Sequence, residues 1–209
     1  MSPADSPAPV PAASTPAAPP PSYCDAAGHP VHGPYHDDEY GVPVRDDVAL
    51  FERLVLEINQ AGLSWETILR KRPTMRTAYA GFDPERVAAF DDADRARLLA
   101  DPGVIRNRLK VGAAIENARR VLALRESHGS FAAWLDAHHP LDLEAWRRLF
   151  KRTFVFTGGQ IVNELLVSTG YLPGAHRPEC PAYERVRAMS PPWTSVPGRS
   201  VPGTSVPAA

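Results

Sequence analysis

Only two of the 209 residues are cysteine and the formal net charge is −1. No apolar run approaches the roughly 20 residues that a membrane span needs. Two cysteines are too few for the frameworks that staple small secreted domains. In a chain of this size they point to a reducing compartment, where paired thiols more often ligate a metal than form a disulfide. The near-zero charge excludes a polybasic binder driven by bulk electrostatics and leaves local basic patches open. Residues 1–22 have neither a basic n-region nor an apolar h-region, so no export signal is expected and the expected location is cytoplasmic.

Proline is abundant instead, and unevenly so: of 23, eight fall in residues 1–22 and five in residues 190–209. The first segment has almost no bulky apolar side chain to offset the entropy of ordering, and the last repeats SVPGR, SVPGT, SVPAA. Both are expected to be disordered tails. The folded domain is therefore expected over 23–189, a length that buries a core unaided.

Inside those bounds the periodicity is helical. Phe51, Leu54, Val55 and Ile58 recur at i, i+3, i+4 and i+7, with Asp46 or Asp47 as N-cap and Gly62 beyond the end. Asp83-Pro84 reads as an N-cap with proline in the first helical position, and Ser130 and Asp142 precede further helical stretches. A long helix is expected from the turn at Asp101-Pro102-Gly103, with Val111, Ile115, Ala118 and Leu122 on one stripe. The single β-like run, TFVFTGG at 153–159, is too short for a sheet, so the fold class is all-α.

Cys24 and His36 near the start, with His176 and Cys180 near the end, form a potential ligand set. His-x3-Cys places the latter two on one face of a helical turn or in a tight loop, and tetrahedral zinc accepts Cys2His2. Isolated thiols beside surface histidines, or a Cys24–Cys180 disulfide, fit the same spacing. Two other segments carry chemistry. GPYHDDEYGVP brings Tyr35 and Tyr40 around His36, and LEINQAGLSWETILRKR brings Glu57, Gln60 and Trp65. Glu57 sits on the flank of its helix, where it either reaches a pocket lip or pairs with Arg53 at i−4.

Cys24, YHDDEYGVP, QAGLSWETILRKR, GVIRNRLKVGAAIENAR, FVFTGG and His-x3-Cys, in that order over about 24–186, resemble the bacterial 3-methyladenine DNA glycosylase I family. The resemblance implies a helix-hairpin-helix glycosylase fold with one structural Zn²⁺ on Cys24, His36, His176 and Cys180. It implies a monofunctional hydrolase of 3-methyladenine, acting as a monomer on double-stranded alkylated DNA and on no membrane. Glu57 then holds the flipped base as the catalytic carboxylate, and Tyr35, Tyr40, Gln60 and Trp65 line the pocket. Leu63 is the apolar wedge, and Thr157, Gly158 and Gly159 form the hairpin anchor on DNA. The basic runs Arg70-Lys71-Arg72, Arg106/Arg108/Lys110 and Arg147/Arg148/Lys151/Arg152 are further candidates for DNA contact.

FTGGQ offers no lysine for lyase chemistry, and STGYLPGAHRPEC after the hairpin helix holds no aspartate. The chain departs from the family pattern where Asp25-Ala26 follows Cys24, where Tyr40 stands for tryptophan, and where Ile58 stands for glycine. Ile58 is expected to crowd the pocket and Tyr40 to change its stacking area, which motivates two alternatives: a non-catalytic module that binds damaged DNA, or a glycosylase for another base.

Overall fold

The helix that the 51, 54, 55, 58 spacing predicts is the axis of the molecule. In the computed structural model, which describes residues 22–195, helix α2 runs Asp47–Gln60 and is capped by the Asp46 side chain accepting from the Ala49 amide. Its residues Leu50 to Asn59 are all buried, because five other helices pack around it. The amphipathic stripe sets its orientation, and tertiary packing then covers the polar flank as well.

Ahead of α2 lie a 3-10 turn, Tyr23–Ala26, and α1, His32–Asp38. After it come α3 (Trp65–Ala78), α4 (Pro84–Ala88) and α5 (Asp92–Ala100). The second half comprises α6 (Arg108–His128), α7 (Phe131–His138), α8 (Leu143–Thr153), α9 (Gly159–Ser168) and α10 (Pro181–Ala188). The described residues contain no strand.

The caps fall where the sequence puts them. Asp83, Ser130 and Asp142 each accept from first-turn amides, which satisfies donors that a helix start otherwise leaves open. The long helix differs at its entry. It begins at Arg108, where Asn107 accepts from the Leu109 and Lys110 amides, and 104–107 lie outside any helix. Helix α3 carries Pro73 and a polar surface, so periodicity alone did not mark it out.

Composition placed 190–195 in the C-terminal tail, and here the boundary moves. Pro192–Ser195 form a 3-10 turn, Pro191 is buried, and the Trp193 amide donates to the Gly170 carbonyl at 3.1 Å. Prolines that look like linker in sequence cap the end of the domain by packing. The expected tails over 1–21 and 196–209 lie outside the described residues.

Candidate active site and metal-ligating cluster

The two ends of the domain meet at four side chains. The 3-10 turn supplies Cys24, α1 supplies His36, and the loop between α9 and α10 supplies His176 and Cys180. Their ligand atoms lie within 4.8 Å of one another. His176 Nδ1 is 3.2 Å from His36 Nε2 and 3.8 Å from Cys24 Sγ, and Cys180 Sγ is 3.6 Å from His36 Nε2. Tetrahedral zinc with ordinary Zn–S and Zn–N bonds sets its ligands about 3.3 Å (N to N) to about 3.8 Å (S to S) apart. The donor set therefore fits in both type and spacing.

The outer ring nitrogens are held as metal-ligating histidines require: His36 Nδ1 lies 2.7 Å from Asp37 Oδ1, and His176 Nε2 lies 2.7 Å from the Tyr40 carbonyl. Burial keeps His176 below the ordinary histidine range and so neutral, the state that can ligate. Gly41, at φ 80°, is needed at this junction. A Cβ there would lie 2.6 Å from Ala175 Cβ, so only glycine lets the Tyr40 turn reach the histidine loop. Both cysteines are free, which removes the disulfide reading.

Beside this cluster opens a cavity of about 1080 Å³, and Tyr35, Tyr40, Glu57, Gln60 and Trp65 all line it. Four segments supply these five side chains: α1, the turn after it, α2 and the first residue of α3. Ser64 caps α3 through the Thr67 amide and so fixes where the Trp65 ring starts. That ring stands edge-on to Tyr35, with centroids 5.2 Å apart.

Glu57 departs from expectation. With 3% exposure it lies in the wall of the cavity and not at a lip, because α2 has no exposed flank on that side. Arg53 is not its ion-pair partner: that guanidinium donates to Glu39 at 2.7 Å and to the Tyr35 hydroxyl. Burial first, and then the charge of Glu164, push the Glu57 carboxyl up to about 8 against the weaker opposing pull of Arg53. Ile58, expected to crowd the pocket, is fully buried in the core and does not line the cavity. It lies about 100° around α2 from Glu57, which turns it away from the cavity wall.

Tyr23 and Glu164 are among the lining residues missed in sequence. Tyr23, just before Cys24, packs its ring 4.8 Å from that of Tyr40 and 5.9 Å from that of Tyr35. It puts an aromatic in the pocket although Asp25-Ala26 supply none after the cysteine. Glu164 lines the cavity from α9.

A second groove, of about 950 Å³, runs along the α8–α9 hairpin and is lined by Thr157, Gly158, Gly159 and the basic side chains of Arg147, Arg148 and Lys151. Gln160 borders both cavities, so the hairpin leads into the pocket. Thr157 donates its hydroxyl to the Phe150 carbonyl and thereby locks the turn, while Gly158 is the N-cap of α9. Phe156, half exposed at φ 60°, stands in the same turn and went unnoticed in the sequence. Leu63 projects at 40% exposure from the turn after α2.

The basic runs sort themselves. Arg72 is tied to Glu39 and Glu52, Arg70 to Glu66, and Lys71 to the Pro102 carbonyl. Lys110 is buried and donates to the carbonyls of Asn59 and Ala61, capping the C-terminus of α2. Arg106 and Arg108 are exposed, but only the 147–151 cluster borders the hairpin groove.

A basic groove along a helical hairpin, joined to a cavity large enough for one base within an all-helical frame, suits a DNA glycosylase. The methyladenine glycosylase family model matches residues 25–144, and the chain belongs to that family. It is 34% identical over 166 residues to DNA-3-methyladenine glycosylase of Haemophilus influenzae, covering 70% of this chain and 89% of that protein. It is 44% identical over 112 residues to DNA-3-methyladenine glycosylase 1 of Escherichia coli, a match that covers 53% of this chain and 60% of that one. Among solved structures, 3-methyladenine DNA glycosylase I from Staphylococcus aureus superposes with a TM-score of 0.70 at 30% identity, covering 77% of this chain and 95% of the other.

Proposed function

We propose that this chain is a monofunctional DNA glycosylase that hydrolyses the N-glycosidic bond of 3-methyladenine flipped out of alkylated double-stranded DNA. The observation that carries the reading is Glu57, a buried carboxylate with no cation paired to it, in the wall of an aromatic cavity. Methylation at N3 makes the attached base cationic and so a good leaving group. Such a base supplies the countercharge that Glu57 lacks, and its exocyclic amine donates to the ionised carboxylate. The indole of Trp65 stacks on the cationic ring, a contact worth about 2 kcal/mol once water is excluded. Neutral adenine keeps the amine but supplies no countercharge and gains less from the stacking.

The bond between C1′ and N9 breaks with its electron pair moving to N9, which leaves a neutral base. Water adds to the oxocarbenium-like C1′ and gives up a proton to solvent. No aspartate in 168–180 stands ready to polarise that water, so the site depends on the lability of its substrate. None of the residues lining the cavity is lysine, which agrees with hydrolysis and no strand cleavage. With Ile58 in the core, one of the two motives for a non-catalytic module is gone.

The anchor uses the N-terminus of α9, where the first amides are free to meet a phosphate, flanked by Arg147, Arg148 and Lys151. Leu63 fills the space that the extruded nucleotide leaves. Cys24, His36, His176 and Cys180 hold one zinc ion, which supplies structural closure of the two chain ends and leaves no ligand position for catalysis. The enzyme works as a monomer in the cytoplasm, where free thiols persist.

Incubation with methylated duplex DNA and identification of the released base tests the activity. Release of 3-methyladenine is expected, and both Glu57→Ala and Trp65→Ala should abolish it. Tight binding without any base released would overturn the reading in favour of a binding module. Zinc is tested separately by metal analysis of the purified protein: one equivalent is expected, with a large loss of thermal stability on chelation. A metal-free protein of unchanged stability would rule it out.

A further inference from the structure

The pocket holds a second acid. Glu164 reaches the cavity from α9, the helix packed against α2, so it and Glu57 border one space from two elements. Its carboxylate is oriented by three neutral donors: Gln160 Nε2 at 2.8 Å and Asn163 Nδ2 at 3.2 Å to Oε1, and the Tyr40 hydroxyl at 3.3 Å to Oε2. Among the described residues neither Glu57 nor Glu164 has an ion-pair partner, although sixteen arginine–carboxylate pairs occur there. The groups that face Glu57 are Tyr23, Tyr35, Tyr40 and Glu164, with Arg53 one turn back on its own helix and engaged by Glu39. The field of Glu164 is felt inside the cavity: after burial, it is the chief cause that holds the Glu57 carboxyl and the Tyr40 phenol above their usual ranges.

The charge of Glu164, added to burial, keeps the proton on Glu57, and a cation entering this dry space offsets both and lets Glu57 ionise. We propose that Glu164 is a specificity-determining residue that, with Glu57, makes a two-carboxylate wall which attracts a base only while N-alkylation keeps it cationic. This rests on the glycosylase reading above. Its consequence extends past selection. When the C1′–N9 bond breaks, the electron pair quenches the positive charge, and the wall loses its charge attraction while the amine contact and stacking remain. Binding is therefore stronger before cleavage than after it.

Glu164→Gln keeps the shape and hydrogen-bonding reach of the side chain and removes its charge. Wild type, Glu164→Gln and Glu164→Asp are compared in the full-length chain by two measurements: KM and kcat on a duplex carrying 3-methyladenine, and inhibition by the free neutral base. Glu164→Gln should raise KM about tenfold, a modest fraction of what two unit charges a few ångströms apart exert at a protein surface. Inhibition by the free base should stay the same or tighten. Glu164→Asp should recover part of the lost affinity. A residue that only shapes the pocket would weaken substrate and free base together, and that parallel loss overturns the proposal, as does a Glu164→Gln enzyme with wild-type constants. A wild-type protein that releases no 3-methyladenine would instead defeat the activity itself, which keeps the two failures apart.

Discussion

Glu52 and Glu57 lie five residues apart on the same helix and are equally buried, at 3% exposure each, yet their surroundings are opposite. Glu52 accepts from Arg72 Nε at 3.0 Å and from Arg76 at 2.8 Å, and Arg72 goes on to Glu39, which also binds Arg53. Three arginines and two glutamates close into one network. Glu57 has aromatic rings and another glutamate for company. Burial is therefore no guide to role: a buried carboxylate with its cations present holds the fold, and one without them waits for a cation from outside.

The largest effect is expected from breaking the paired site. Glu52→Ala empties a buried site, leaves Arg72 with Glu39 alone and leaves the half-exposed Arg76 without that acceptor. Loss of these charge-assisted hydrogen bonds costs about 3 kcal/mol. Denaturant unfolding should show that loss, while base release per folded molecule at low temperature should change little. A variant as stable as wild type but inactive would reverse the assignment of the two glutamates.

At Glu57 the order of effects should invert. Glu57→Gln should cost base release about 10- to 100-fold, the scale of a hydrogen bond to a charged group. Stability should move the other way, and with pH. The carboxyl is held at about 8 in the folded protein against an ordinary value of 4.5. Between those two pH values the unfolded chain loses the proton that the folded chain keeps, so wild-type stability falls as pH rises. Glu57→Gln carries no such penalty. The two proteins should match near pH 4 and diverge up to about pH 8, where the variant is the more stable by up to about 5 kcal/mol. A stability difference that does not vary with pH would mean that Glu57 has a partner after all.

The contrast also separates what local pattern reveals from what it hides. The stripe on α2 and the caps at Asp46, Asp83, Ser130 and Asp142 follow from spacing and side-chain chemistry within a few residues, and the helices stand where those signals put them. The four ligands were visible as residue types, but closeness between positions 24 and 176 is made by packing. The acid at 57 was visible only through the family motif, and its burial was not: a helix flank that looks exposed in sequence is covered by α9. Glu164 was hidden because α9 reads as an apolar helix. The signal it did leave is the polar trio Gln160, Asn163 and Glu164, at i, i+3 and i+4, on one face of that helix. Tyr23 was hidden because the expected aromatic was sought after Cys24, and the turn at 23–26 brings the preceding residue to the same place.

The smallest expected effect lies on the border between the two sites. Tyr35 faces both: its ring stands against Trp65 in the pocket, while its hydroxyl accepts from Arg53 of the paired network, whose guanidinium carbon lies 4.6 Å from the ring centroid. Tyr35→Phe removes the acceptor and leaves the ring. Arg53 keeps Glu39 at 2.7 Å, so the network is thinned and stays closed. The cost should be about 1–2 kcal/mol in stability, that of one hydrogen bond from a charged donor. Base release should remain within severalfold of wild type, because the edge-on contact with Trp65 needs only the ring. A loss as deep as that of Glu57→Gln would mean that the hydroxyl, and through it Arg53, takes part in holding the base, and the division of α2 into a structural and a functional glutamate would then have to give way to a single coupled site.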